Sequence, residues 1–318
     1  MNLAVLVVSL LFAFGSTIDL TWVLRKKISD MGVKNKLSIG MIFSYSLVTT
    51  GALYGVWYGF EYGYSYRALF VSWFDSLTTG LGISLGLHRY DTHRTYKTGP
   101  VLQFILSACA WKGGMKKATW VSNHELHHEK EDTIDDPHSP FIFNKNGDWW
   151  GFWWSHLGWM LVERPYLEAL KKTDVSRISF IRTERYLFLP CLLLGFAIPT
   201  MFLGWEGLWI SFLRMFYVLH ITFSINSVGH MFGTSVREKS LSRNGTWIGA
   251  LFTMIGERYH ANHHADQRCA FLGWRRFDVD AGKWLLIVLE QFGVVYDVNK
   301  PGRNNPPTGP SVWPLAAA

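Results

Sequence analysis

Two segments of one pattern, HxxHH, dominate the chemistry this chain could do. HELHH supplies His124, His127 and His128, and HANHH supplies His260, His263 and His264. At about 100° per residue, positions i, i+3 and i+4 share one face of an α-helix, so each box aims three imidazoles in one direction. HRYDTH adds His88 and His93, and NSVGH adds His230. Neutral imidazole binds iron, copper, zinc and nickel. Nine nitrogens are too many for one ion, and at four or five apiece they suit a dinuclear site. The three cysteines, Cys109, Cys191 and Cys269, form no CxxC pair, so donor type excludes an iron–sulfur cluster. Asn226 stands four residues before His230 on the same helical face, placed to reach a metal through a water molecule. His88 and His93 are five apart and share no α-helical face. His88 is therefore expected to end a spanning helix and His93 to reach back after the chain leaves it. His156 and His220 are expected to be satisfied core residues.

These boxes need a scaffold, and the composition names its class. Of 318 residues, 49% are hydrophobic and only 17% charged, against roughly 25% charged in ordinary soluble domains. Sixteen tryptophans and twenty-two phenylalanines suit wide membrane–water interfaces. A spanning helix needs about 20 mainly apolar residues, and residues 37–60, 66–87, 186–203 and 208–229 qualify. Only EYGYS separates the first two and GWEG the second two, so they form two hairpins, each entering and leaving on one face. Residues 1–24 are left open among a fifth span, a helix lying in the interface and a cleaved signal peptide.

The hairpins put residues 25–36, 88–185 and 230–318 on one side, and all nine grouped histidines with them. The basic stretch RKKISDMGVKNK lies there too, as do Lys112, Lys116, Lys117, Lys171 and Lys172, while neither short turn holds Lys or Arg. The positive-inside rule makes this face cytoplasmic. The expected organisation is an N-terminal apolar segment and basic loop over 1–36, a first hairpin over 37–87 and a cap portion over 88–185. A second hairpin follows over 186–229 and a second cap portion over 230–318. The fold class is an all-α integral membrane protein with four or five spanning helices. The net charge of +7 fits an anionic lipid surface or substrate. No basic run interleaved with aromatics points to nucleic acid.

In these residues the chain resembles the membrane fatty-acid desaturases, in particular their acyl-CoA, Δ9-type branch. The resemblance covers about residues 66 to 300 and rests on GLHRYDTHRTYK, WVSNHELHH, DDPHSP, GFWWSHLGWML, NSVGHMFG and GERYHANHH, in that order. One HxxHH is a weak signal; three boxes plus NSxxH between two hairpins are a strong one. The resemblance implies a helical membrane stalk under a cytoplasmic cap, with two iron ions held by His88, His93, His124, His127, His128, His230, His260, His263 and His264, and by Asn226 through water. It implies that Trp120 and Thr222 bend an acyl chain beside the metals. Two departures stand out: Glu125 replaces a basic residue of the second box, and Ala261 replaces an Asn of the third. Arg89, Arg94, Lys97 and Arg164 are the expected contacts to a phosphate-bearing head group. The acidic run from Glu129 to Asp132 has no counterpart in the resemblance and is expected to bear on head-group or donor preference. Asp135, Asp136 and His138 are expected to brace the exit from the second box.

The implied reaction is that of a stearoyl-CoA 9-desaturase in fatty-acid biosynthesis. It takes two hydrogens from adjacent methylenes and reduces O2 to water with two external electrons. Such C–H bonds offer no acidity to a base, so an oxidant is required and the cofactor carries the hard chemistry. Acyl-CoA is the first expected substrate and acyl-lipid the runner-up. The chain carries no His-Pro-Gly-Gly haem signature, flavin fingerprint or CxxC pair, so a separate donor such as ferredoxin or a cytochrome b5-like protein is expected. A membrane di-iron hydroxylase would use similar boxes. A metal transporter is the rival of a different class, but transport sites usually lie near the bilayer midplane, and these boxes lie beyond the helix ends.

Overall fold

The computed structural model describes residues 2–163, 173–236, 241–245 and 255–302, so Arg164, Lys171 and Lys172 lie outside the described residues. Among those residues the chain is mainly helical, with two short antiparallel strand pairs. Five helices are long and apolar enough to cross a membrane: Leu3–Asp30, Ile39–Tyr62, Tyr66–Thr92, Ile181–Leu203 and Trp205–Met231.

Helix α1 is Leu3–Asp30 and α2 is Ile39–Tyr62. The Asn2 amide donates to the Tyr54 hydroxyl at 2.8 Å, which ties the start of α1 to the far half of α2. The first apolar segment is thus a long helix lying along α2. It buries Ser9, Ala13, Thr17 and Thr21, a small residue at every fourth position, while Leu11, Phe12 and Trp22 face outward. Lipid tails are as apolar as leucine, so such helices associate through close packing of small residues. Leu24 and Ile28 then enter a cluster with Ile142, Trp154 and Val162 in the cap.

Gly63, with φ +74°, ends α2, and Ser65 caps α3, Tyr66–Leu81, by accepting from the Ala68 amide at 3.2 Å. The helix does not stop at Leu87. It continues as a π-helix over Gly82–Thr92. Asp75, inside this span, is answered by Arg214 Nε at 3.0 Å and by Lys112, as an intramembrane carboxylate must be. Helix α4, Pro100–Lys112, returns along the π-helix. A side chain at Gly82 would place its Cβ 2.5 Å from the Ala110 amide nitrogen, so the two backbones touch there.

Helix α5 is Lys117–Lys130, α6 is Trp149–Trp153, and α7 is Trp159–Leu161 beyond a second π-helical turn. Helices α8, Ile181–Leu203, and α9, Trp205–Met231, meet at Gly204, with φ +61°. Helices α10, His260–Ala265, and α11, Ala281–Gln291, complete the cap. Strand β1, Lys36–Leu37, pairs with β3, Val162–Glu163, and β2, Lys97–Thr98, with β4, Val295–Tyr296. The second pair closes a core of Leu85, Tyr96, Leu106, Phe271, Leu286 and Val295, which fixes α11 against the helix that carries the first histidine box.

Candidate metal centre

Four elements deliver the nine imidazoles. The π-helix and its C-cap carry His88 and His93, α5 carries His124, His127 and His128, the end of α9 carries His230, and α10 carries His260, His263 and His264. The expectation for the first box is corrected by the π-helix. The His93 amide donates to the His88 carbonyl at 3.1 Å, an i→i+5 bond. The wider turn brings residues five apart onto one face, and their rings lie 5.0 Å apart. The helix thus runs four residues past His88, and His93 is its C-cap, folded back beside His88. Such π segments recur at functional sites.

The nitrogens converge in two groups. His88, His93, His124 and His263 form the first, and His127, His230, His260 and His264 the second. His128 joins the first: its Nε2 lies 3.1 Å from that of His124 and 2.9 Å from that of His263. Within that group His93 and His124 approach at 3.0 Å, as do His88 and His263. In the second, His230 and His260 approach at 2.8 Å, His260 and His264 at 3.0 Å, and His127 and His264 at 3.2 Å. One proton can bridge one such pair, yet Nε2 of His260 faces two neighbours and so does that of His263. A central cation satisfies them together. A metal–nitrogen bond of about 2.1 Å gives an edge of about 3.0 Å at right-angled corners and about 3.4 Å at tetrahedral ones. The close pairs, at 2.8–3.2 Å, are compatible with imidazoles sharing one ion.

Burial, reinforced by neighbouring imidazoles, holds His93, His124, His128, His260, His263 and His264 well below the usual histidine range. They are neutral at pH 7, the form a metal needs. Carboxylates answer the opposite ring nitrogens. Glu257 meets Nδ1 of His88 at 3.0 Å, Asp136 that of His127 at 2.8 Å, Glu131 that of His264 at 2.9 Å and Asp132 that of His230 at 3.4 Å. Hydrogen-bonded partners of this kind, as Glu257 and Asp136 are, fix ring orientation and raise ligand basicity. Burial opposes the charge on Asp136, but His127 and His138 outweigh it and hold its carboxyl well below the usual range. Burial also pushes His127 down, yet Asp136, Asp132 and Glu131 leave it raised.

Part of the acidic run thus lies beside the imidazoles: Glu131 is close to His264 and Asp132 to His230. Asp136 braces the exit from α5 as expected, also accepting from the amides of Asp132 and His138 at 3.0 Å each. Sequence reading missed Glu257, although its place three residues before His260 was a usable signal.

The remaining expected residues divide. Asn226 lies on α9 one turn before His230, half-buried. The Trp120 ring stacks on His124 with centroids 6.1 Å apart. Thr222 is buried and donates to the Val218 carbonyl at 2.8 Å. Arg89 is not a phosphate contact. It is 1% exposed and donates to the Ala270 carbonyl at 2.9 Å, the Ile255 carbonyl at 2.7 Å and Asp280 at 3.1 Å. Lys97 is paired with Asp297, and Glu125 with Arg177. Arg94 is exposed, and Arg164 lies outside the described residues. His156 and His220 satisfy one another at 2.9 Å, with Ser227 and Tyr45 completing the network.

A family model described as fatty acid desaturase matches residues 65–272, a stretch that contains every one of the nine histidines. The chain belongs to the fatty acid desaturase family. This desaturase is 31% identical over 293 residues to a hex-5-enoyl-[acyl-carrier protein] acetylenase of Moorena producens, covering 86% of this chain and 88% of that protein. It is 35% identical to an sn-1 stearoyl-lipid 9-desaturase of Synechocystis, over 71% of this chain and 69% of the relative. With acyl-CoA desaturase 1 of Saccharomyces cerevisiae it shares 32% identity over 71% of this chain and 44% of the yeast protein. The desaturase is therefore an oxidoreductase of lipid metabolism whose helices are long and apolar enough to span a membrane, with imidazole clusters that could hold two metal ions.

Proposed function

We propose that this desaturase introduces a cis double bond at the Δ9 position of a saturated fatty acyl chain, using two iron ions, O2 and two external electrons. The observation that carries the reading is the convergence of nine imidazoles into two adjacent groups. His88, His93, His124, His128 and His263 would hold one ion. His127, His230, His260 and His264 would hold the other, with Asn226 acting through a water molecule. The all-nitrogen donor set fits iron. Iron, when bound, would activate O2, the oxidant that unactivated C–H bonds require.

The chain's own residues do the rest. Glu257 and Asp136 orient the rings of His88 and His127. Trp120 and Thr222 precede His124 and Asn226 by one turn each and would flank the acyl chain, so that position selects the carbons attacked. The balance is one saturated acyl chain, one O2, two electrons and two protons to one alkene and two waters. The electrons come from a separate carrier, a ferredoxin or a cytochrome b5-like protein, at the cytoplasmic face assigned by the basic loop.

Acyl-CoA is one carrier for the chain. The side-chain pairing favours an acyl-lipid instead, because Arg89 is spent on Asp280, Lys97 on Asp297 and Arg177 on Glu125. That leaves fewer cations for a phosphate-rich head group. Expression in a host lacking its own desaturase, with fatty-acid and lipid-class profiling, tests the reading. A new monoene is expected, absent in His128→Ala. With a competent electron donor present, no new monoene in either strain sinks the proposal.

A further inference from the structure

Between the first and second histidine boxes lies a buried ion pair that takes no direct part in the imidazole groups. Asp91 sits in the π-helix between His88 and His93, and Lys117 is the first residue of α5. Lys117 Nζ lies 2.7 Å from Asp91 Oδ2, and both side chains are 1% exposed. The ammonium also donates to Ser107 Oγ at 2.8 Å and to the carbonyl and hydroxyl of Ser179 at 2.6 Å each. The other Asp91 oxygen accepts from the Ser179 amide at 3.1 Å and hydroxyl at 2.9 Å. Glu184, at the start of α8, accepts from the Lys117 amide at 2.6 Å and from Trp111 Nε1 at 2.9 Å. The charges are thus fully answered, and four separate segments meet at one side chain.

The register of α5 gives this joint its consequence. His124 and His128 follow Lys117 by seven and eleven residues. At about 100° per residue, all three lie within about 20° of one helical face. The pair therefore anchors the face of α5 that carries two imidazoles of the first group to the helix that, with its C-cap, carries two more. We infer that the Asp91–Lys117 pair is a positioning device that sets the rotation and spacing of α5 against the π-helix, and so governs metal retention by the group of His88, His93, His124, His128 and His263. This rests on the proposal that the two imidazole groups hold iron. A buried pair is a poor source of net stability, since apolar residues of similar volume often replace one at no loss. What such residues cannot replace is the directional tie.

The test uses the full chain in lipid nanodiscs, loaded anaerobically with ferrous iron. Lys117→Met removes one partner, and Asp91→Leu with Lys117→Met replaces both by apolar groups and guards against simple misfolding. Iron per chain, the rate of iron release to a chelator and the Mössbauer spectrum are compared with thermal stability. The parent is expected to hold two irons. The double variant is expected to fold with some loss of stability, because the Ser179 amide and carbonyl lose their partners, yet to release one iron faster by on the order of 10-fold while the other is retained, with the spectrum of the released iron altered. Two irons released at parental rates from the folded double variant would overturn the inference alone. Uniform loss of both irons in step with lost stability would overturn it as well, making the pair merely structural. A parent that holds no iron would bring down the functional proposal and the inference together.

Discussion

Replacing Arg89 with methionine separates a structural arginine from a substrate-binding one. The change keeps much of the apolar stem and removes the guanidinium. Two carbonyls, of Ala270 and Ile255, lose their donor, and Asp280 loses its buried cation. Breaking a buried ion pair from one side costs about 3–5 kcal/mol. Asp280 keeps the amides of Leu272 at 3.0 Å, Gly273 at 3.1 Å and Lys283 at 2.9 Å, so the lower end applies, about 3 kcal/mol. That shifts the folded-to-unfolded ratio roughly 100-fold and is a large share of the 5–15 kcal/mol typical of a folded domain. Unfolding in mixed micelles of mild and denaturing detergent, followed by tryptophan fluorescence, reads the loss. The folded fraction is expected to keep its KM for the acyl substrate. Unchanged stability with a raised KM would refute the assignment and return Arg89 to a phosphate.

Further outcomes follow from the same contacts. Glu257→Gln and Asp136→Asn each remove a charged partner of a ring nitrogen and are expected to weaken iron binding by about 10–100-fold, read by chelator competition. Gly82→Ala drives a methyl to 2.6 Å from Cys109 Cβ and 2.8 Å from its carbonyl carbon. It is expected to cost about 1–3 kcal/mol. Gly40→Ala meets nothing within 4 Å and is expected to be neutral or slightly stabilising in the same unfolding measurement. Burial, then the neighbouring His220, pushes His156 down to about 4, below the usual 6.5. The unfolded imidazole thus takes a proton between about pH 6.5 and 4 that the folded one refuses. Stability falls with pH across that window by up to about 3 kcal/mol, and His156→Gln is expected to flatten the slope.

The clustering of the imidazoles was legible because it is written locally: HxxHH announces a helical face, and NSVGH puts Asn226 one turn from His230. The first box misled because α-helical periodicity was assumed where the chain widens into a π-helix, which no residue pattern in HRYDTH announces. Arg89 misled for a different reason. Its partner Asp280 lies 191 residues away, beyond any periodic signal, so an arginine beside a metal box looked free to bind phosphate. Glu131 and Asp132 looked like surface charge until α9 and α10 brought His230 and His264 against them. The spans were read from length and hydropathy, but the fit of α1 on α2 depends on small residues whose partners are set only by the fold.

The most direct test of the central claim is a single turnover of purified, iron-loaded protein. It is given a reduced ferredoxin, O2 and a saturated acyl substrate, and the product and iron content are measured by mass spectrometry. Two irons per chain and a product lighter by one pair of hydrogens are expected. A product heavier by one oxygen, or a chain saturated by a single metal ion, would contradict a dinuclear desaturase.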